Sequence, residues 1–564
     1  MTTSRKRVLV VGLDGGTFDL IEPWVAEGHL PNLARLISNG CHGRLASTLQ
    51  PLSAPAWTTF MTGVNQGQHG VYDFVRRREG SYNLEITDAS IIAVPTVFDL
   101  VGRFARHVVA LNVPYTFPPH PVNGVLFSGP FAPVVDASLV YPPALGETLM
   151  DMVDGYFITP EYHPQVPDPL SEYLSALKQG AMYRHRIAAH LMDTEPWDLF
   201  VVVFVSIDQV SHSFWHCMTA PNDDPDARFR QAIRDVYQSA DEAIGSFLNR
   251  VDEDDEDTVV IVLSDHGSGP LRRVVNLNRL LAEAGYLRFK PTQNQPMGRW
   301  RARLINRLAN AYRRMPPGLR VRFRSKLGTQ RFQRIKGDME SALFASAVEW
   351  SKTRAYALGA GGKIYLNVAG REPEGIVQPG VEYELLRNEM ADALAAVEDP
   401  ETGRRIVRRV WRREELYHGP FLDRAPDLVI EWADYRYWGR GRYDIWAAPV
   451  FEDRRTMDYS ELPLTGTHRP DGIFVASGPG VKVGAEIEGA RIVDLTPTML
   501  RILGLPVPEY MDGSVLESIF VEDAFESAVS LPTVQPISIP GSEFTYTDED
   551  SAAILQRLQD LGYL

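Results

Sequence analysis

Residues 258–267 read TVVIVLSDHG. The run 258–263 is apolar or β-branched throughout, without the alternation of a half-exposed strand, and Asp265 and His266 follow at once. This is the pattern of a strand buried on both faces whose end presents polar groups. Three other runs have the same form: VLVVGLD at 8–14, VVALN at 108–112 and LFVVVFVS at 199–206. Longer stretches of helical periodicity separate them. Buried strands alternating with helices predict a doubly wound, mostly parallel α/β sheet flanked by helices. Later candidate strands are KIYLNV near 365, PDLVIEW near 430 and DGIFVASG near 475.

In open α/β sheets ligands gather outside the carboxyl ends of the strands. The runs near 14, 208 and 265 each deliver an aspartate there. The expected organisation is a core α/β domain in two parts, 1–285 and 451–525. Between them fall a basic helical insert or cap at 286–345 and a smaller α+β section at 346–450. A tail follows at 526–564, ending in a short amphipathic helix.

With 564 residues, 44 glycines and 40 prolines, the chain suits a large, loop-rich α/β protein better than a helical bundle. Two cysteines, Cys41 and Cys217, exclude a disulfide framework and are compatible with a reducing compartment. The apolar run at 8–11 is too short for a signal-peptide core, and no stretch approaches the length of a membrane span. The expectation is a soluble, cytoplasmic protein without a transmembrane segment. The net charge of -15 is unevenly placed: 288–336 holds fifteen Lys or Arg and no Asp or Glu, on an otherwise acidic chain. That stretch is a candidate contact for an anionic partner, or a solvated face packed on the acidic body.

Four motifs carry metal-ligand chemistry. SIDQVSHSFWH spaces Asp208 and His212 four apart, so a helical turn projects both from one face. SDHG supplies Asp265 and His266, GTHRPDG supplies His468, and GLDGG supplies Asp14 beside glycines that let a bound group approach the backbone. Mixed imidazole and carboxylate donors suit zinc first and manganese second. The stretch PLSAPAWTTFMTG, 51–63, reads as a helix with Ser53 as N-cap, Pro55 in the first turn and Gly63 closing the end. A serine at a helix N-terminus also sits where an anion is best received.

The ordered set GLDGG, SAPAWTTFMTG, QHG, Asp208-x-x-x-His212, SDHG, GTH and DLTPTMLRILGLPVPEYMDG resembles the alkaline phosphatase superfamily. Within it, the likeness is to the type I phosphodiesterase/nucleotide pyrophosphatase family and its prokaryotic relatives, over residues 7 to about 520. The resemblance implies a phosphodiesterase-like hydrolase of phosphate esters with Ser53 as nucleophile, a phosphoseryl intermediate and two divalent ions, zinc or manganese. It implies one ion on Asp208, His212 and His468. The other would rest on Asp14, Asp265 and His266, with Ser53 facing it.

Departures bear on substrate. Family members use threonine where this chain has Ser53, and an asparagine after HG-x-x-D where Phe74 stands here; Ala54 N–H is a candidate replacement donor. Sulfatases carry an arginine at the position of Trp57, so sulfate chemistry is not expected. Phosphoglycerate mutases insert their extra domain after the nucleophile segment, whereas the basic stretch here follows SDHG. Two alternatives stay open. One is a phosphomonoesterase or phosphonate or sulfate ester hydrolase of the same superfamily. The other is an anion-binding protein, for nucleic acid or a membrane surface, with a vestigial metal site. Of the other residues, His216 is expected to be a packed histidine, His69 to tie down the loop after the Ser53 helix, and Asp494 to cap a helix. Lys363 and Arg371 are candidates to approach the site.

Overall fold

The computed structural model describes residues 5–130, 132–133, 135–153, 155–251, 257–290, 347–441, 449–453, 462–522 and 524–525, with 554 and 558. The basic stretch beyond Lys290, and the C-terminal tail apart from two residues, lie outside the described residues.

Seven strands build the centre of a ten-stranded sheet: β1 (Arg7–Leu13), β2 (Gly40–Ala46), β3 (Val108–Val113), β4 (Gly124–Ser128), β5 (Leu199–Phe204), β6 (Thr258–Leu263) and β7 (Asp471–Ser477). Their order is β2-β7-β6-β1-β5-β3-β4. The β6-β1-β5-β3-β4 run is parallel, whereas β7 is antiparallel to both β6 and β2. β1, β3, β5 and β6 are buried at every position or nearly so, which is why their sequences lack alternation. One face carries α1 (Ser53–Thr62); the other carries α2 (Pro169–Thr194), α3 (Ser206–Phe214) and α4 (Ala232–Leu248).

Leu13 pairs with Phe204 and Gly12 with Leu263, so β1, β5 and β6 end level at one edge of the sheet. Asp14, Asp208 and Asp265 therefore leave the sheet side by side. Immediately after β6 the chain turns into Gly267–Pro270, which forms a two-stranded antiparallel ribbon with Gly466–Arg469, placing Ser268 opposite His468. That ribbon brings the distant GTH segment to the same edge.

The KIYLNV and PDLVIEW runs lie in a second sheet, four-stranded and antiparallel, in the order Ala355–Ala357, Lys363–Leu366, Leu428–Trp432, Val407–Arg412. The helix Val381–Ala395 packs on this sheet. Its turn at 359–363 reaches the residues flanking α1: a Cβ at Gly359 would fall 1.9 Å from Asp73 Oδ2, and one at Gly361 2.6 Å from Gln50 Oε1. Among the described residues no helix is long and apolar enough to cross a membrane.

Candidate active site

Ser53 is not the N-cap of its helix. Leu52 holds that position in extended conformation, no side chain caps the helix, and Ser53 is the first helical residue. The first intrahelical bond runs from Ala56 N–H to Leu52 O, and Pro55 has no N–H, so the amides of Ser53 and Ala54 precede the ladder. Gly63 closes the helix at φ 69°, as its position after the last turn requires. Relieved of capping, Ser53 Oγ lies 3.4 Å from Asp14 Oδ1 and 3.3 Å from His266 Nε2, on a side chain only 3% exposed.

All six acid and imidazole residues of the metal motifs meet there. The four-residue spacing on α3 sets His212 Nε2 3.2 Å from Asp208 Oδ1. His468 Nε2, arriving on the ribbon, lies 3.4 Å from Asp208 Oδ1 and 2.8 Å from His212 Nε2. His266 Nε2 lies 3.4 Å from Asp265 Oδ2 and 3.7 Å from Asp14 Oδ1, and its ring stacks on His468 with centroids 3.8 Å apart. Two groups bring three donor atoms within 4.8 Å of one another: Asp14, Asp265 and His266, and Asp208, His266 and His468.

The donor chemistry fits a bound cation. Each imidazole directs Nδ1–H to a backbone carbonyl: His212 to Gly466 O, His266 to Gly267 O and His468 to Pro51 O. Each Nε2 thereby faces the cluster, the orientation that metal-ligating histidines take. The Nε2 atoms of His212 and His468, 2.8 Å apart, need a proton or a metal ion between them. Asp265 Oδ2 is buried without a hydrogen-bond donor. Gly15, at φ 70°, borders the cradle, and a Cβ there would come within 2.8 Å of Ser268 Oγ and 3.0 Å of Asp208 Oδ1.

Electrostatics point the same way. Burial, together with the neighbouring carboxylates, pushes Asp14 and Asp265 well above the ordinary aspartate range. Burial acts on Asp208 in the same direction, but His212 and His468 overcome it and hold Asp208 well below that range. His266 is driven well down by burial and by His468. Three buried acids thus have imidazoles as their ion-pair partners, with Trp57 N–H on Asp14 and Gly15 N–H on Asp265 as further donors, a donor set able to take added positive charge.

Trp57 belongs to the site as well. One turn beyond Ser53, its indole N–H donates to Asp14 Oδ2 at 2.9 Å, and its ring leaves no room for a side chain at Gly12, where a Cβ would lie 2.5 Å from Trp57 Cη2. The signal was a tryptophan four residues from the serine on a helix that is buried all round. Phe74 is buried in the core. Lys363 is turned to Asp73, 2.7 Å away, and Arg371 to Asp427, 2.6 Å away. His69 accepts from Val71 N–H at Nδ1 and meets Thr59 Oγ1 at Nε2, tying down the loop as expected. Asp494 stands at the N-cap position of Leu495–Ile502, as expected, though its side chain turns to Arg491 and the Ser514 amide instead of bonding that helix. His216 is not merely packed, because it meets Asp226, Thr465 and Cys217.

A sequence profile of the type I phosphodiesterase / nucleotide pyrophosphatase family matches residues 8–445. The chain belongs to that family. As a type I phosphodiesterase family member it is a phosphoric ester hydrolase, and the family is metal-dependent. Among curated proteins, none matches the chain. Among solved structures, it is similar to phosphonoacetate hydrolase from Sinorhizobium meliloti 1021 in complex with phosphonoacetate, with 14% identity and a TM-score of 0.49, over 88% of this chain and 96% of that one. It is also similar to murine ectonucleotide pyrophosphatase / phosphodiesterase 5, with 14% identity and a TM-score of 0.46, over 92% and 100% of the two chains. The human protein of that name gives 13% and 0.45, over 93% and 100%.

Proposed function

We propose that this family member hydrolyses phosphodiesters through Ser53, by way of a phosphoseryl intermediate, at a centre for two divalent ions. Asp208, His212 and His468 would hold one ion and Asp14, Asp265 and His266 the other. Zinc is the ion this donor set favours, with manganese the alternative. When bound, the ions supply Lewis acidity and neutralise charge on the phosphoryl oxygens. The observation that carries the reading is the position of Ser53 Oγ, unused in capping and within 3.4 Å of both Asp14 and His266.

The chain's own residues perform the rest. Ser53 Oγ–H loses its proton as Oγ bonds to phosphorus, the bond to the leaving alkoxide breaks, and the alkoxide takes up one proton, so that none is gained or lost overall. The amides of Ser53 and Ala54, at the positive end of α1, face the phosphoryl oxygens and take the place of the asparagine donor replaced by Phe74. Trp57 N–H holds Asp14 in orientation. Water then forms the new bond to phosphorus, the Ser53 Oγ–P bond breaks, and a proton from that water restores the Ser53 hydroxyl. A cytoplasmic location agrees with Cys41 and Cys217, both buried and unpaired.

The test is bound metal, and turnover of aryl phosphodiester, phosphomonoester, phosphonate and sulfate probes, in wild type and Ser53→Ala. The diester should be the preferred probe, and its turnover should fall by about 10⁴-fold in the variant with metal retained. Preference for another probe, or undiminished turnover by Ser53→Ala, would overturn the proposal.

A further inference from the structure

A second group of metal-ligand side chains lies one turn beyond α3, on two short 3₁₀ turns, Trp215–Thr219 and Pro225–Phe229, packed face to face. His216 Nε2 lies 3.1 Å from Asp226 Oδ2, and Cys217 Sγ lies 3.5 Å from the same nitrogen. The three donors fall within 4.8 Å of one another. We propose that His216, Cys217 and Asp226 form a separate site for a zinc-class divalent cation, distinct from the cluster around Ser53.

The His216–Asp226 and His216–Cys217 distances are close to those around one small ion, and because Cys217 Sγ also lies 3.8 Å from His216 Nδ1, the thiol must turn toward the Nε2 side to ligate. With Zn–S about 2.3 Å and Zn–N or Zn–O about 2.0 Å, tetrahedral geometry separates sulfur from nitrogen by about 3.5 Å and nitrogen from oxygen by about 3.3 Å. The ring is oriented for ligation. Thr465 Oγ1 donates to His212 O at 3.2 Å, so it accepts from His216 Nδ1–H, also at 3.2 Å. His216 Nε2 then faces the Asp226 carboxylate, with a proton or a metal ion as the positive charge between them. Asp226 is fixed in turn by its backbone N–H, which donates to Asp224 Oδ1.

Access and coordination number agree with this assignment. The His216 side chain is 29% exposed while that of Asp226 is 8% exposed, so the site opens to solvent on one side. Water can enter there as the fourth ligand. On binding, Cys217 Sγ forms a bond to the metal and its proton passes to solvent; no oxidation occurs. Because Thr465 bonds both His212 and His216, an occupied site would brace the segment leading into the Gly466–Arg469 strand that carries His468.

The test is Co(II) added to the full-length protein after metal removal. The six donors around Ser53 include no sulfur, so a sulfur-to-cobalt charge-transfer band in the near ultraviolet reports this site alone, whatever happens to turnover. Wild type and Cys41→Ser should show the band, and Cys217→Ser should lose it and bind one equivalent fewer. Asp226→Asn, which keeps the thiol, should weaken the band's Co(II) affinity at least tenfold, and it serves if Cys217→Ser fails to fold. Absence of the band in wild type, its survival in Cys217→Ser, or unchanged affinity in Asp226→Asn would overturn the proposal.

Discussion

Two sets of buried aspartates divide the molecule. In the second lobe, Asp427 is fully buried yet saturated: Arg371 reaches both oxygens at 2.8 and 2.6 Å, Tyr383 hydroxyl donates at 2.7 Å, and Leu366 N–H donates at 2.7 Å. Asp73 is likewise matched by Lys363 and the Ala360 amide. Asp14, Asp208 and Asp265 are equally buried but meet imidazoles as their ion-pair partners. The first set is neutralised by Arg371 and Lys363; the second, on the proposed reading, is completed by bound cations. A buried acid's role is therefore told by what faces it, not by its burial.

The sharpest way to break this contrast is substitution on each side. Asp208→Ala should lose bound metal and lower turnover by about 10³-fold or more, on the order of 4 kcal/mol in the barrier. The metal-free protein should be no less stable than metal-free wild type, which paired metal analysis, kinetics and thermal melts will show. A large loss of stability would place Asp208 with the structural acids.

Asp427→Ala should do the reverse. It removes the two-pronged partner of half-buried Arg371, which keeps Glu372 at 2.9 Å, so denaturant unfolding should show a loss of about 3 kcal/mol with metal content unchanged. Its pH dependence follows from sign. Burial alone would raise Asp427, but the Arg371 hydrogen bonds and charge hold it below the ordinary carboxylate range. Its contribution is therefore present at neutral pH and lost as pH falls through the lowered value. Asp427→Asn should thus converge on wild type as the solution is acidified below about pH 4.

A smaller effect isolates a buried neutral group. Burial pulls His69 down to about 3, with Nδ1 accepting from Val71 and Nε2 against Thr59. Its folded value lies below the unfolded one, so stability is complete above about pH 6.5 and declines on acidification. Between pH 7 and 5 the decline should be about 2 kcal/mol, and His69→Asn, which keeps an acceptor near Nδ1, should flatten it in unfolding curves. The smallest effect is at Trp57→Phe. Losing the N–H on Asp14 should lower turnover about tenfold while the diester remains the preferred probe.

Much of this was legible in the chain. The continuous apolar runs at 8–13, 199–204 and 258–263 are strands, and each precedes an aspartate at the active edge. The i, i+4 pair on α3 needed only helix geometry. DGIFVASG, by contrast, entered the central sheet antiparallel, and KIYLNV and PDLVIEW went to another sheet. Apolar runs report burial, but pairing direction depends on where the preceding connection returns the chain. Ser53 resisted for a related reason, since a polar residue at a helix start is the same in sequence whether it caps or stands one position inside.

The sequence by itself determined the buried parallel strands, the donor types at their ends and the helical pairing of Asp208 with His212, because period and spacing act over a few residues. Only the tertiary structure decided that the ribbon of Gly267–Pro270 with Gly466–Arg469 carries His468 to His266, that Trp57 holds Asp14, and that Lys363 is consumed by Asp73. Those contacts join residues tens to hundreds of positions apart, and which partner a buried charge finds is settled by packing across the whole fold.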